Sequence, residues 1–320
     1  MSDVRRAVEL LTGKRRVVLL CHANPDGDAI GSLLGMGLLL ERHLPNIPVR
    51  MVCKDPVPPT FAFLPSCSRL FSDPGLAEGD VIIVLDTAEP KLTGFHETHP
   101  QIFDGTYPSI CIDHHPTNSK YATVSLIDPE SASSCEIVLA FAEHSGWAVD
   151  SEIATCLLTG VYTDTGGLLH SNTTASVYRT VGKLLRAGAR RQEMVQEVFR
   201  TAKLSTLKLW GRVLEKITIS GEGGAISAVT QGDFRATGAD YSELTGAVDY
   251  LNAVPGMRFS LILSERDGKV KGSLRTLRDD VDVSAMASKF QGGGHRRAAG
   301  FALPGKLQPE VRWKVVEEEK

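Results

Sequence analysis

Short apolar runs alternate with longer helical patterns through the first half of the chain. The runs lie at residues 16–21, 49–53, 80–85 and 109–112, and none alternates polar and apolar positions. Each is therefore typical of a strand that is buried on both faces. Apolar spacing predicts helices at 29–40, 133–145, 151–162, 174–187 and 192–202. Together these elements predict an α/β domain, with a doubly wound and mostly parallel sheet between helix layers.

The pattern changes after the Gly-Glu-Gly-Gly segment at 221–224. Strands are predicted at 225–230, 258–264 and 269–276, and the Asp-Gly pair between the last two is typical of a hairpin turn. Helices are predicted at 205–217 and 283–290. We therefore expect an N-terminal domain over residues 1–190, a helical linker over 191–222, and a smaller α/β domain over 223–320, with a cleft between the two domains. The charged residues 317–320 are interpreted as a solvated tail.

Composition narrows the class of protein. The chain is 42% hydrophobic, with 35 basic and 38 acidic residues and a net charge of −3, so a long footprint on duplex nucleic acid is not expected. No segment is typical of a signal peptide or a membrane span, which favours a cytoplasmic protein. The cysteines have no C-x-x-C spacing, and we interpret them as buried thiols in a reducing cytosol. They are Cys21, Cys53, Cys67, Cys111, Cys135 and Cys156.

Three of the predicted strands run into residues of metal-ligand type. The first is followed by the segment HANPDGD at 22–28, the third by Asp86, and the fourth by Asp113-His114-His115. Ligands of open parallel sheets bind outside the carboxyl ends of the strands, so these side chains are expected at one edge. Taken singly, Asp28 is better explained as a helix N-cap, and Asp86 is equally well explained as a turn residue. The mixture of carboxylates and imidazoles favours Mn²⁺ or Mg²⁺ over Zn²⁺ or Co²⁺. The number of candidate ligands exceeds what one ion needs and suits two ions.

Five motifs in order carry a family resemblance. They are HANPDGDAIGS at 22–32, Asp86, Asp113-His114-His115, GVYTDTG at 160–166, and GGGHRRAAG at 292–300, the last preceded by Ser273-Leu274-Arg275. The set resembles the DHH phosphoesterase superfamily with a C-terminal DHHA1 domain, over essentially the whole chain. In its length and its lack of extra domains, the chain most resembles members of the nanoRNase branch, which are bacterial oligoribonuclease and pAp phosphatase enzymes.

The resemblance implies a role for each matching residue. It implies that His22 and Asp26 hold one Mn²⁺ and that Asp86 bridges to a second. The second ion would be held by Asp28, His114 and Asp164. His115 would contact the scissile phosphate, with Asp113 supporting it. Substrate binding is assigned to Arg275, Gly293, Gly294 and His295.

Local charge supports a phosphate pocket near the C-terminus. Residues 258–300 contain nine basic and five acidic side chains, a local net charge of +4. The three glycines at 292–294 would let backbone amides approach an anion, aided by a nearby helix N-terminus, although a flexible turn is the alternative. An arginine such as Arg275 suits a terminal phosphate, which it binds through two parallel hydrogen bonds.

The expected function is metal-dependent hydrolysis of short oligoribonucleotides to mononucleotides and of 3′-phosphoadenosine 5′-phosphate (pAp) to AMP. The expected partners are short single-stranded RNA and small phosphorylated nucleotides, with no membrane and no long duplex DNA; a homodimer is a family-level expectation. A phosphodiesterase for cyclic dinucleotides or pApA remains open. An inorganic pyrophosphatase is disfavoured by the GGGH segment, a non-catalytic nucleotide-binding module by the intact ligand set, and a RecJ-type DNA exonuclease by length and charge.

Overall fold

A computed structural model of the chain describes residues 2–200 and 202–308. It divides into two compact units, Met1–Thr201 and Ala202–Lys320, called here the first and second unit. The division falls inside the segment that the sequence analysis expects to be a linker. The predicted solvated tail at 317–320 lies outside the described residues.

The first unit is built on a five-stranded sheet in which every strand pair is parallel. The strand order is β2-β1-β3-β4-β5. The strands are β1 Arg16–Leu20, β2 Val49–Val52, β3 Asp80–Leu85, β4 Ser109–Asp113 and β5 Val124–Ile127. The parallel α/β architecture expected from the continuous apolar runs is confirmed, and β5 is an additional strand that those runs did not predict.

Alternate side chains of these strands enter two different cores. Val17 and Leu19 of β1 join the larger core, which also contains the apolar side of the helices, whereas Val18 and Leu20 join a smaller core on the opposite face. This separation follows from the two-residue repeat of a strand. The smaller core is closed by an irregular segment containing the 3-10 turns Pro90–Thr93 and Pro100–Ile102.

The described residues of the first unit form six α-helices. They are α1 Ser2–Leu11, α2 Gly27–His43, α3 Ser134–Ser145, α4 Ser151–Asp164, α5 Ala175–Arg186 and α6 Arg191–Met194. The last, α6, continues as a π-helical turn, Val195–Phe199. The prediction of one continuous α-helix at 192–202 is therefore wrong. In the part of the chain that is described, no helix is long and apolar enough to cross a membrane.

The second unit is a mixed six-stranded sheet with order β10-β11-β9-β8-β7-β6. Among the described strands of this second sheet, only the β7–β8 pair is parallel. The strands are β6 Thr218–Ile219, β7 Gly224–Val229, β8 Phe259–Arg266, β9 Lys269–Arg275, β10 Gly293–His295 and β11 Ala298–Pro304, and the helices are α7 Leu204–Glu215, α8 Gln231–Thr237, α9 Ala247–Asn252 and α10 Val283–Ser288. The Asp-Gly hairpin between β8 and β9 is confirmed, and both of its turn residues have positive φ.

The glycine triplet does not form the predicted anion-binding loop at a helix N-terminus. Gly293 and Gly294 lie in β10, which follows the C-terminal end of α10 and pairs with β11. A Cβ at Gly294 would meet the Ala298 carbonyl oxygen at 2.6 Å, and a Cβ at Gly292 would meet the Gly300 carbonyl oxygen at 2.2 Å. Close strand packing therefore requires these two glycines, while the space around Gly293 is open.

The cysteines agree with the sequence interpretation except at one position. All six are free thiols, and five are buried. Cys67 is only partly buried. The buried thiols behave as small apolar side chains, and burial raises the pKa of Cys111 to about 12 despite nearby hydrogen-bond donors.

Candidate active site

The loop that follows β1 places the first two carboxylates. Asp26 caps α2, because its Oδ1 accepts hydrogen bonds from the backbone amides of Asp28 and Ala29, both at 3.0 Å. The alternative interpretation of Asp28 as the cap is therefore wrong. Asp28 lies in the first turn of α2 and is fully buried, so its carboxylate is directed into the protein.

The strand ends, together with the first turn of α2 and the last residue of α4, bring six of the predicted residues into two connected groups. In each group one ligand atom per residue lies within 4.8 Å of the others. One group is His22, Asp26 and Asp86, and the other is Asp28, His114 and Asp164.

Asp86 connects these two groups through its two carboxylate oxygens. Its Oδ2 lies 3.6 Å from His22 Nε2, and its Oδ1 lies 3.6 Å from His114 Nε2. His22 Nδ1 lies 2.9 Å from the Ala23 carbonyl oxygen, which can only accept, so Nε2 is the ring nitrogen that faces the carboxylates. A histidine held by a backbone carbonyl in this way is a common arrangement for a metal ligand.

Close packing of α2 against α4 brings Asp164 to the site. A Cβ at Gly31 would meet the Cys156 carbonyl oxygen at 2.6 Å, and one at Gly160 would meet Asp28 Oδ1 at 2.6 Å. Glycine at these positions therefore lets the two helices approach. As a result, Asp164, the last residue of α4, lies with its Oδ2 3.3 Å from His114 Nε2.

The end of β4 presents His115 beside a buried carboxylate. His115 Nδ1 lies 2.7 Å from Asp113 Oδ1 and 3.7 Å from Asp86 Oδ1. The hydrogen bond with Asp113 raises the pKa of His115, which favours the protonated ring. Asn118 donates to Asp113 Oδ2 at 2.6 Å and so fixes this carboxylate from the other side. Asn118 was not predicted from the sequence, where its only signal is its place three residues after His115.

The electrostatics of the candidate ligands favour the binding of positive charge. Burial, followed by repulsion from Asp86 and Asp26, raises the pKa of Asp164 to about 8, and burial together with Asp86 and Asp164 raises that of Asp28. Burial lowers the pKa of His22, but the neighbouring carboxylates of Asp26 and Asp86 overcome this and raise it to about 11. Without another cation the site therefore retains protons. This donor set fits divalent cations, which would replace those protons.

These side chains line a cavity of about 360 Å³. None of the described residues that line it is Lys or Arg. The lining consists of His22, Ala23, Asp26, Asp86, Leu92, His114, His115 and Asp164. A phosphate group entering this cavity would meet carboxylates, which is unfavourable unless cations lie between them.

The loop that carries His22 and Asp26 is held by residues that the sequence analysis missed. Asn24 has φ of +51°, a left-handed conformation that is uncommon for a non-glycine residue. Its backbone amide donates to Asp55 Oδ2 at 2.8 Å, and the neighbouring Ala23 amide donates to the Leu92 carbonyl at 2.7 Å. No local sequence signal links Asp55 to this loop, because it follows a different strand.

In the second unit, the sheet places Arg275 and His295 in one row. Arg275 of β9 pairs with Ala298 of β11, which pairs with His295 of β10, so the three residues lie opposite one another. Directly opposed residues share a face of a sheet. Arg275 lines a pocket of about 190 Å³ with Tyr241, Arg266, Lys271 and Ser273; the described lining does not include His295, Gly293 or Gly294.

Several of the basic residues near the C-terminus are already paired within the second unit. Arg278 binds Asp280 through two hydrogen bonds, and Arg297 forms an ion pair with Asp279. Arg296 donates to the backbone carbonyl of Asp279. The local charge of +4 is therefore less available to a ligand than its count suggests. Arg275 makes one described side-chain bond, to the Leu274 carbonyl oxygen, and its remaining donors can meet a phosphate.

Comparisons with known proteins identify the family. The model of the DHH family N-terminal domain matches residues 16–161, and that of the DHHA1 domain matches residues 223–318. The bifunctional oligoribonuclease and PAP phosphatase NrnA of Thermus thermophilus is 32% identical to this chain, with 95% of the chain and 88% of that protein covered. The chain belongs to the DHH family of phosphoesterases. The resemblance inferred from the five motifs is therefore confirmed.

Further DHH relatives agree with this assignment. The Bacillus subtilis protein of the same name is 28% identical over 295 residues, which cover 90% of this chain and 89% of that protein. Among solved structures, an exopolyphosphatase-related protein from Bacteroides fragilis superposes with a TM-score of 0.82 at 25% identity, covering 97% of this chain and 92% of the other. The two-domain DHH and DHHA1 organisation thus extends along the chain.

Proposed function

We propose that this protein is a metal-dependent phosphoesterase that hydrolyses short oligoribonucleotides to mononucleotides and pAp to AMP. The observation that carries the proposal is the position of Asp86, whose two oxygens face two separate sets of ligand atoms. The NrnA relatives, named for oligoribonuclease and PAP phosphatase activity, support the choice of substrates.

The ligand assignment follows the two groups. His22 and Asp26 would hold one cation, Asp86 would bridge, and the second cation would be held by Asp28, His114 and Asp164. Mn²⁺ is preferred because carboxylate oxygens are mixed with imidazole nitrogens, with Mg²⁺ or Co²⁺ as alternatives. When bound, such a pair of cations lowers the pKa of water and offsets the charge of the phosphoryl oxygens.

The remaining residues of the site act on the substrate directly or through a neighbour. His115 is half-exposed and borders the cavity, so a phosphoryl oxygen or the leaving oxygen can reach its ring. Its pKa is raised by Asp113, and the protonated ring can donate a hydrogen bond to a phosphoryl oxygen. Asp113 and Asn118 hold the ring in place and have no contact with substrate of their own in this proposal.

In the second unit, Arg275 is proposed to bind a terminal phosphate. It lines a pocket next to Lys271 and Ser273, so one phosphate group would find an arginine, an ammonium and a hydroxyl. His295, Gly293 and Gly294 of β10 are proposed to complete the substrate-binding residues; Gly293 is exposed, and the space around it is open.

The experiment is product analysis on 5′-labelled RNA of two to twenty-four nucleotides with Mn²⁺, alongside pAp, pApA, cyclic di-AMP and pyrophosphate. The proposal predicts fast conversion of the shortest RNAs and of pAp, and slow conversion of the long RNAs. The ladder also reports the direction of digestion. EDTA should abolish turnover, and Mn²⁺ should restore it.

Each alternative outcome is distinct. Hydrolysis confined to pApA and cyclic di-AMP would indicate a phosphodiesterase for these dinucleotides instead. Phosphate release from pyrophosphate alone would indicate a pyrophosphatase. Full activity in EDTA would contradict metal dependence. Equal rates on two- and twenty-four-nucleotide RNA would contradict the preference for short substrates.

A further inference from the structure

The first turn of α3 contacts both groups of candidate ligands. The Ser134 backbone amide donates to Asp28 Oδ2 at 2.6 Å, and the Cys135 amide donates to Asp28 Oδ1 at 3.1 Å. The Ser134 hydroxyl lies 3.1 Å from Asp86 Oδ1 and donates to it, because the carboxylate can only accept. Ser134 thus bonds one carboxylate from each group, and its side chain is fully buried.

The backbone of Asp86 is held in place, but this does not by itself orient its carboxylate. Its φ is +51°, in the left-handed region, which is uncommon for a non-glycine residue. The Asp86 amide donates to the Ile112 carbonyl at 2.9 Å, which holds the backbone but leaves the carboxyl group free to rotate. The Ser134 hydroxyl is the described side-chain donor that orients this carboxylate toward the two imidazoles.

The turn that carries Ser134 is itself anchored on two sides. Glu136 Oε2 accepts from the Ala132 amide at 2.8 Å, and Glu136 Oε1 accepts from the Thr180 hydroxyl of α5 at 2.8 Å. Ser133 caps the helix by accepting from the Glu136 amide. The donors of Ser134 are therefore held by contacts that do not involve the ligands.

We infer that Ser134 is a positioning residue that orients Asp28 with its amide and Asp86 with its hydroxyl, and so sets the geometry of both cation sites together. This inference rests on the ligand assignment in the proposed function. Groups that orient ligands in this way typically contribute about 10- to 100-fold to metal affinity or activity. The amide contact is kept by any residue other than proline, whereas the hydroxyl contact requires Ser or Thr.

The test compares Ser134→Ala with Ser32→Ala in the full chain. Ser32 is equally buried and lies on α2, but its hydroxyl bonds only to the Ala29 carbonyl oxygen among the described partners. Mn²⁺ dissociation constants are measured by calorimetry after EDTA treatment, with kcat and KM on pAp and a thermal unfolding curve for each variant. We expect S134A to weaken Mn²⁺ binding about 10- to 100-fold and to lower kcat with little change in KM. S32A should keep wild-type affinity, and folded Ser134→Thr should restore most of it.

The outcomes separate this inference from the proposed function. Wild-type protein that binds no Mn²⁺ would overturn both. Tight wild-type binding with an unchanged S134A would overturn only the inference. Equal weakening in S134A and S32A would also overturn it, because the effect would then reflect general loss of packing rather than the oriented hydroxyl. If the Thr variant does not fold, the pair of alanine variants decides the question alone.

Discussion

The candidate metal centre of the first unit and the candidate phosphate site of the second are built in opposite ways. The first collects buried carboxylates at the ends of parallel strands, where Asp28 and Asp86 are almost fully removed from solvent. The second lies on an antiparallel sheet face, where Gly293 and His295 are exposed and most arginines are paired internally.

This difference decides how strongly each site acts on a ligand. Buried charges interact strongly, so the carboxylates of the first unit should bind cations strongly. Exposed charges are screened by water and salt, so each contact in the second unit contributes modestly. We therefore expect the chemistry to depend on the first unit nearly absolutely and substrate preference to depend on the second unit by smaller factors.

The largest effect is expected for Asp86→Ala. Because Asp86 faces both groups, its loss should weaken both cation sites and lower kcat on pAp by about 10³-fold or more. Bound Mn²⁺ is measured by elemental analysis alongside the rate. Asp80→Asn is the matched control, since Asp80 is also buried on β3 but pairs with Arg16 at the opposite end of the strand.

The Asp80 variant should unfold at a lower temperature yet bind Mn²⁺ and turn over pAp normally while folded. Near-normal activity of Asp86→Ala would contradict the shared ligand. Equal loss of Mn²⁺ in both variants would show that any damage to β3 empties the site.

The second-largest effect on catalysis is expected for Arg275→Ala. Loss of a charge-assisted hydrogen bond should raise KM for pAp and dinucleotides about 10- to 100-fold and leave kcat largely unchanged. Bis-p-nitrophenyl phosphate, which has no terminal phosphate, should be hydrolysed as by the wild type. Arg278→Ala, whose arginine is bound to Asp280, is the control and should not change KM. Equal KM changes on all substrates would contradict a phosphate contact at Arg275.

Removal of metal should change how stability depends on pH. The raised pKa of Asp164, about 8, means that the metal-free folded protein holds a proton that the unfolded chain has released from about pH 4 upward. Stability in EDTA should therefore fall as pH rises from about 5 to 8, because the folded state binds more protons. His22, with its pKa raised to about 11, acts in the same direction above about pH 6.5.

Saturating Mn²⁺ should remove this decline and stabilise the protein by about 2.7 kcal/mol at one hundred times its dissociation constant. Urea unfolding midpoints at four pH values, with EDTA or Mn²⁺, provide the measurement. Asp164→Asn should flatten the EDTA curve. Stability that increases with pH in EDTA would show that the buried carboxylates do not repel one another as described.

The smallest effect is expected for Gly293→Ala. The space around Gly293 is open, so the variant should fold normally, and any rise in KM for pAp should be a few-fold, the size of one weakened amide contact. Gly294→Ala is the contrasting variant, because φ of +142° and the contact with the Ala298 carbonyl oxygen should destabilise the second unit. An unchanged KM in folded G293A would remove Gly293 from the substrate-binding residues.

Much of the first unit could be predicted because its signals are local and redundant. Continuous apolar runs identified β1, β3 and β4, and each ends in ligand-type residues. β5 was missed because its four residues alternate between buried and half-buried positions and lie in a polar segment. In the second unit, the glycine triplet was predicted to form an anion-binding loop near a helix N-terminus, whereas Gly293 and Gly294 lie in β10, and their role there depends on how closely β11 approaches.

The sequence by itself determined which chemical groups lie at the ends of which strands, because strand direction and connection place successive carboxyl ends at one edge of a parallel sheet. Only the tertiary structure decided that Asp26, rather than Asp28, caps α2, that the two oxygens of Asp86 face different imidazoles, and that Ser134 contacts both Asp28 and Asp86. These relations join residues that are up to 106 positions apart along the chain. They depend on ångström-scale helix and strand packing, which no local pattern of residue types specifies.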